Sequence, residues 1–168
     1  MKKWIFPLLA ALLTTVSCGI LGETREEKVA RQAREARMVE DNVRAGDFVI
    51  DIDRMIPLRG SSQHVSSYSV RVKDGVLTSH LPFVGQAWRV PYGGGHALNF
   101  TEKIGSYSVY PLEKEGYQVR IYVKTDEDEH LYLFYIYPNG RASLDVQSQN
   151  RDRMSYTGLM DFYSNSEE

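Results

Sequence analysis

The sequence contains a single cysteine, Cys18, among its 168 residues. One cysteine excludes a disulfide within the chain and any metal site that needs several thiolates. The four histidines are all more than five residues apart, so a helical zinc motif with two histidines is missing as well. The sequence also lacks a Gly-x-Ser-x-Gly nucleophile motif. These absences predict no metal, no cofactor and no recognisable set of catalytic residues. The histidines are His64, His80, His96 and His130.

The sequence also has no excess of basic over acidic residues. Lysine and arginine contribute 20 residues, aspartate and glutamate contribute 22, and the formal net charge is −2. A nucleic-acid-binding protein needs a basic surface that displaces counterions from phosphates, so we predict no nucleic-acid partner. The hydrophobic fraction of 42% is typical of a folded chain, and the length suits one globular domain.

The apolar run at the amino terminus, Trp4 to Val16, is too short to cross a bilayer, which takes about 20 residues. It follows Lys2 and Lys3, and a basic start before a short apolar run is typical of a secretory signal peptide. The residues Thr15-Val16-Ser17-Cys18 resemble a bacterial lipobox, although Thr15 stands where leucine is preferred. The resemblance implies cleavage before Cys18 and acylation of Cys18 with palmitate-type chains. The alternative is an ordinary signal peptide whose cysteine is incidental.

An acylated Cys18 would hold the protein on a membrane, because each buried methylene contributes about 0.8 kcal/mol. Gly19 follows the cysteine where an inner-membrane retention signal would have aspartate, which favours the outer membrane, facing the periplasm. The membrane, reached through Cys18, is therefore the first predicted partner. The predicted organisation is a signal peptide at 1–17, an anchor and charged helical spacer at 18–46, an antiparallel β domain at 47–163 and a polar tail at 164–168.

A helix is predicted directly before the β domain. Thr24-x-x-Glu27 matches a capping box, no glycine or proline follows until Gly46, and Gly46 suits the left-handed residue just past a helix end. Val29, Ala36 and Val43 recur every seven residues and form a thin apolar stripe. The stripe indicates a solvated spacer that packs on the domain at one end. A docking helix for another chain is the alternative.

The remainder of the sequence predicts antiparallel β-structure. Phe48, Ile50 and Ile52 alternate with acidic residues, which is typical of a half-buried strand. Asp74-Gly75 suits a tight hairpin turn, and the acidic run Asp126 to Glu129 indicates a solvated turn. Seven or eight short strands follow one another with links too short for parallel crossovers. We therefore predict a mainly β protein, with a single antiparallel and strongly curved sheet or a barrel-like domain.

Several motifs of this β region resemble one known family. They are Tyr68-x-Val70-x-Val72-x-Asp74-Gly75-x-Leu77-x-Ser79-x-Leu81-Pro82-Phe83-x-Gly85-x-Ala87, Pro91-Tyr92-Gly93-Gly94-Gly95, Leu98-x-Phe100, Asn139-Gly140-x-Ala142 and Arg153-x-Ser155-Tyr156-x-Gly158. Across about residues 24–162 the sequence thus resembles DUF4251, a domain of unknown function in lipoproteins of the Bacteroidota. The resemblance implies an exported, anchored, β-rich domain. It brings no established activity and no catalytic residues.

Aromatic residues supply the candidate binding sites. The segment Leu81 to Phe100 is rich in proline, glycine and aromatic residues, and long loops in compact domains are often functional. It is interpreted either as a lid over a cavity mouth or as an aromatic plug that closes one end of the sheet. A second set lies on three successive predicted strands and would line a concave face, or else form ordinary cross-strand pairs. The candidates are Phe83, Trp88 and Tyr92 in the loop, and Tyr110, Tyr122, Tyr132 and Phe134 on the strands.

These observations favour a non-catalytic binding module of the cell envelope. The predicted partner is a small amphipathic ligand or an envelope protein. The alternative is a hydrolase that acts on envelope polymers. Its best candidate acids are Asp51 and Asp53, which share one face of a predicted strand at about 7 Å.

The lipobox generates the first testable prediction. Cells grown with radiolabelled palmitate should incorporate the label into the protein at Cys18, because a processed lipobox cysteine carries acyl chains. The intact mass should correspond to a chain that begins at residue 18 and bears lipid. An unlabelled product, or a mass that still includes residues 1–17, would contradict the lipoprotein interpretation.

Overall fold

The computed structural model describes residues 24–89 and 97–162. Four elements of the sequence analysis lie outside these residues: the signal peptide, the lipidation site Cys18, the loop aromatic Tyr92 and the polar tail at 164–168. Within the described residues no helix is both long enough and apolar enough to span a membrane.

One helix precedes a closed antiparallel barrel of eight strands. Each strand pairs with the next one along the chain, and the eighth strand pairs with the first. This architecture confirms the predicted mainly β fold and its barrel-like form. The elements are α1 (Arg25–Ala45), β1 (Phe48–Pro57), β2 (Gln63–Lys73), β3 (Val76–His80), β4 (Asn99–Pro111), β5 (Tyr117–Lys124), β6 (Glu129–Ile136), β7 (Arg141–Ser148) and β8 (Met154–Asp161).

Alternating side chains of the strands point into the barrel and form one hydrophobic core. Phe48 and Phe134 pack edge to face inside it, with ring centroids 5.5 Å apart. A small closed barrel has an interior just wide enough for side chains to fill, and these large residues fill this one. Other inward residues with almost no exposure are Ile50, Val70, Val72, Leu77, Val119, Ile121, Val123, Tyr132, Ile136, Leu144, Val146 and Tyr156.

Two strands differ from the prediction. The alternation of apolar and polar residues predicts one strand from near Ser67 and another from Tyr107, whereas β2 begins at Gln63 and β4 at Asn99. Ser67 has a positive φ of 66° within a register shift between β1 and β2, so the period-two pattern breaks there and hides the first half of the strand. A second register shift, at Gly105, interrupts β4 in the same manner.

The predicted capping box is present at the start of α1. The Thr24 side chain accepts from the Glu27 backbone N–H, and the Glu27 carboxylate accepts from the Thr24 backbone N–H. At the other end Gly46 takes the left-handed conformation, with φ of 66°. At 1.5 Å per residue the helix is about 31 Å long.

The carboxyl-terminal half of α1 covers one end of the barrel, which we call the helix end. Val39 and Val43 are completely buried there. The Tyr107 hydroxyl donates to the Val43 carbonyl oxygen at 2.5 Å, and burial raises the pKa of this phenol. The opposite end, called the far end, carries the β3–β4 connection and the β5–β6 and β7–β8 links. The helix therefore packs on the barrel through its carboxyl-terminal half.

Closure of the barrel depends on a glycine and generates the second prediction. A Cβ at Gly158 would overlap the carbonyl oxygen of Asp51 on the neighbouring strand. We expect Gly158→Ala to lower the free energy of unfolding by about 1–3 kcal/mol or more, because the strand must move away from β1. Chemical denaturation measures this change.

The matched control is Gly75→Ala in the β2–β3 turn. A Cβ at Gly75 meets nothing within 4 Å, and only its positive φ of 73° opposes a side chain. We expect a smaller loss, about 1 kcal/mol. Equal losses for the two variants would contradict the close approach of β8 to β1.

Candidate functional site

A wide groove lies at the helix end, between α1 and two turns of the barrel. Its volume is about 860 Å³. We call it the rim groove. Its lining residues are Val29, Gln32, Ala33, Glu35 and Ala36 on the helix, Lys114 and Glu115 on the β4–β5 turn, and Tyr137, Pro138, Asn139 and Arg141 at the β6–β7 turn.

The floor of the rim groove continues the apolar stripe of α1. Val39 and Val43, further along that stripe, are buried on the barrel, whereas Val29 remains 59% exposed. Ala33 and Ala36 are small and leave room between helix and turn. Across the gap, Tyr137 has 45% of its surface exposed. The groove is thus mainly apolar because the stripe extends beyond the part of the helix that the barrel covers.

Charged side chains surround this apolar floor. The Glu35 carboxylate accepts from the Arg31 guanidinium at 2.9 Å, which partly neutralises it. Lys114 and Glu115 are sequence neighbours of opposite charge on the β4–β5 turn. Arg141 is held by its backbone N–H, which donates to the Asn139 side-chain oxygen at 3.1 Å. Its guanidinium has no ion-pair partner in the part of the chain that the structure describes.

A second depression adjoins the rim groove on the outer wall of the barrel. Tyr137 and Arg141 line both, and the second has a volume of about 500 Å³. We call it the wall groove. Leu159, 50% exposed, adds apolar surface, and Asp53 accepts from the Thr157 hydroxyl at 2.6 Å. The two grooves therefore meet at the Tyr137 ring and the Arg141 guanidinium.

The described residues of the loop predicted to be a lid or a plug, 81–89 and 97–98, lie at the far end. Leu81 and Leu98 are buried, and Phe83 packs against the core. Backbone hydrogen bonds tie this segment to the β7–β8 link: the Trp88 N–H donates to the Asn150 carbonyl oxygen at 2.8 Å. The described part of the loop thus favours the plug. Trp88 itself does not plug the barrel, because its side chain is 66% exposed.

A buried charge network, which the sequence analysis missed, holds the links of the far end together. Asp128 and Arg151 are each only 5% exposed. Arg151 pairs with Glu127 at 2.6 Å, and its Nε lies 3.5 Å from the Asp128 carboxylate. Asp128 also accepts from the backbone N–H of Asn150. The prediction of a solvated turn over 126–129 is therefore wrong for Asp128, which is buried by partners such as Asn150 and Arg151 that lie more than 20 residues away along the chain.

His130 lies beside this network inside the barrel, with 1% exposure. Its ring stacks on Phe100 with centroids 5.1 Å apart, and its Nδ1 is 2.8 Å from the Ser148 hydroxyl. Its Nε2 has no hydrogen-bond partner among the described residues. Burial lowers the pKa of this imidazole, opposed by Asp128, so the neutral form is the native one.

The four strand aromatics do not share one concave face. Tyr132 and Phe134 point into the packed core and are fully buried, whereas Tyr110 and Tyr122 lie on the outer wall. The expectation of a common face is wrong. Because β6 is apolar on both faces, its sequence does not reveal which alternate residues point into the barrel. Tyr132 pairs with Ile121, not with Tyr122. Its hydroxyl donates to Ser79 at 2.9 Å.

The two acids of the hydrolase alternative lie on the outer wall of β1. Both are exposed. Burial and the nearby Asp161 raise the pKa of Asp51. Asp53 lines the wall groove and is engaged by Thr157. The register shift of β1, between Ile52 and Arg54, falls at Asp53. This arrangement adds no specific support for hydrolysis.

The fold and its grooves define a closed eight-stranded antiparallel barrel with a helix across one end. The sequence matches the family described as domain of unknown function (DUF4251) over residues 30–160, and the chain belongs to this family. The crystal structure of a DUF4251 family protein from Bacteroides eggerthii DSM 20697 has a similar fold, with a TM-score of 0.60 at 14% identity. The similarity covers 78% of this chain and 89% of the other. No curated protein matches the sequence.

The structure explains part of the motif that carries the family resemblance. A Cβ at Gly85 would lie 3.0 Å from the Asp152 Cβ, so a side chain at this position would push the loop and the link apart by a few tenths of an ångström. The Gln86 N–H donates to the Asp152 carboxylate at 2.9 Å, and the Tyr156 hydroxyl donates to the Pro82 carbonyl oxygen at 2.7 Å. These residues close the far end, which is a structural role.

The environment of His130 generates the third prediction. A histidine whose pKa is lowered in the folded protein binds its proton more readily after unfolding. We therefore expect its contribution to stability to be complete above pH 6.5, and to decline as the pH falls below that value, by at most about 1.4 kcal/mol per pH unit. Urea denaturation at several pH values between 5 and 8 measures the decline.

The variant His130→Gln separates this effect from titration of the carboxylates. It keeps a polar side chain that can reach Ser148 but carries no titratable group, so stability should fall less steeply with decreasing pH than in the wild type. The comparison concerns the slope, not the absolute stability. Identical slopes in the two proteins would contradict the proposed burial of a neutral imidazole.

Proposed function

We propose that this protein is a non-catalytic binding module of the cell envelope, and that the rim groove is its site for a small amphipathic ligand. The observation that carries the proposal is the groove itself, with its apolar floor of Val29, Ala33 and Ala36 facing the Tyr137 ring. Its volume of about 860 Å³ falls in the range of roughly 300–1,000 Å³ that small-molecule sites occupy.

The rest of the barrel supports this choice of site. Large side chains such as Phe48, Tyr132 and Phe134 fill the interior, so the ligand is assigned to the surface. Neither Phe83 nor Trp88 lines the rim groove or the wall groove. The binding roles predicted for Phe83, Trp88 and Tyr92 have no part in this proposal.

The proposed location is the periplasmic face of the outer membrane, with the chain held by acylated Cys18. Five residues lie between Cys18 and the helix cap Thr24, and an extended chain over these six residue steps spans at most about 20 Å. Val29 comes five residues after Thr24, near the start of the helix. An anchored protein would thus carry the rim groove close to the membrane surface, where amphipathic molecules concentrate.

A groove-filling variant provides the fourth prediction. We expect Ala33→Phe to weaken binding of the apolar fluorescent probe N-phenyl-1-naphthylamine by about tenfold or more, because the new ring occupies the floor of the groove. Ala33 is exposed on α1 and away from the barrel core, so the fold should be retained. Fluorescence titration measures the affinity, and far-ultraviolet circular dichroism checks the fold.

The control is Ala30→Phe, the same change at an exposed position of the same helix that does not line the groove. We expect probe affinity close to that of the wild type. If the wild type fails to bind the probe, or if the two variants bind it equally well, the rim groove is not the binding site.

A further inference from the structure

We infer that the ligand of the rim groove is a long-chain fatty acid in its carboxylate form, with the alkyl chain along α1 and the carboxylate on the Arg141 guanidinium. This inference rests on the proposed binding function and names the ligand class of the same site. Three observations carry it: the shape of the apolar floor, the position of Arg141, and the other charges of the two grooves.

The apolar floor is elongated. It follows one face of α1 from Val29 to Ala36, a rise of about 10 Å along the helix axis. Its side chains are aliphatic and small, and the Tyr137 ring faces them across the gap. A flexible unbranched chain buries apolar surface along such a trough, at roughly 25 cal/mol for each Å² removed from water.

Arg141 marks one limit of the apolar floor. It lines both the rim groove and the wall groove, so its guanidinium stands where the trough turns from the helix onto the outer wall. No carboxylate lies within ion-pair distance of it among the described residues. A guanidinium offers paired N–H donors in a planar arrangement that matches the two oxygens of a carboxylate. An anionic head group would complete this pairing.

The other charges of the two grooves are weaker candidates for holding the head group. Glu35 is paired with Arg31, and Asp53 remains an anion in the wall groove, where the Thr157 hydroxyl donates to it. Lys114 is a second cation of the rim groove, but it stands beside Glu115 in the sequence, and its ammonium lacks the paired planar donors that a guanidinium offers a carboxylate. Arg141 is therefore the cation assigned to the head group.

Displacement of N-phenyl-1-naphthylamine tests this inference with three amphiphiles that share a twelve-carbon chain. They are laurate, dodecanol and dodecyltrimethylammonium, used below micelle formation. The protein is the full chain with Cys18→Ser, which carries no acyl chain of its own to compete for the groove. We expect laurate to displace the probe at a concentration about tenfold lower than either of the others, since a charge-assisted pair contributes more than about 1.4 kcal/mol.

Two variants locate the head group. In Arg141→Gln the preference for laurate over dodecanol should disappear; the preference is taken as the ratio of the two displacing concentrations within each variant, so that a change in probe affinity cancels. In the control Arg71→Gln, an exposed arginine on β2 that lines neither groove, the preference should persist.

The outcomes separate this inference from the proposed function. If the probe does not bind the wild type, the proposed function fails. If the probe binds but the three amphiphiles displace it equally, or dodecyltrimethylammonium does so best, the groove is a binding site and the fatty-acid assignment is wrong. Equal preference for laurate in Arg141→Gln and in the wild type would also overturn the assignment.

Discussion

The pairing of β8 with β1 is the constraint on which the rest of this structure depends. It joins the two ends of the β region into a closed barrel, and Gly158 permits it because β8 lies against the backbone of Asp51. Closure removes the free edges of the sheet and fixes which side of each strand faces inward. It also gathers the turns into two rings, one at each end, so that residues far apart in sequence become neighbours. Both the buried charge network and the rim groove arise in this manner.

The helix end shows how a partly covered helix produces a groove. Val39 and Val43 pack on the barrel, and the hydrogen bond from Tyr107 to the Val43 carbonyl fixes where the helix meets it. The apolar stripe continues toward the amino terminus, where Val29 is exposed and lines the rim groove. If the apolar stripe of α1 ended where the barrel covers the helix, the rim groove would have no apolar floor. The extension of the stripe by two turns is therefore the feature that calls for a functional explanation.

Much of the fold follows from local sequence patterns. The capping box at Thr24 and Glu27, the turn at Asp74 and the alternation in β1 each act over a few residues, and each lies where it was predicted. The start of β2 was not predictable because the bulge at Ser67 breaks the alternation. Which face of β6 points into the barrel was not predictable either, since both of its faces are apolar. In each of these two cases tertiary pairing decides what the local pattern leaves open.

The candidate site was harder to find from sequence, for a physical reason. Val29, Ala33 and Ala36 were visible as a thin helical stripe, but Tyr137 and Arg141 are separated from them by a hundred residues and lie beside a turn. Only closure of the barrel brings the helix and that turn together. The acidic residue Asp128 presents the same difficulty, because its cation Arg151 follows two strands later. The aromatic content of the sequence therefore indicated a binding site in the loop after β3, whereas the described residues of that loop cover the far end of the barrel.

The two ends of the barrel differ in whether their charged side chains are buried and paired, and this difference bears on function. At the far end the charges of Glu127, Asp128 and Arg151 are matched to one another and are largely removed from water, which fixes the links and gives the end one arrangement. At the helix end Arg141 remains exposed beside apolar surface, an arrangement that suits an anionic, apolar ligand. A barrel whose links are fixed at one end, and whose other end places an exposed cation beside apolar surface, is the arrangement expected of a rigid scaffold that presents a binding surface.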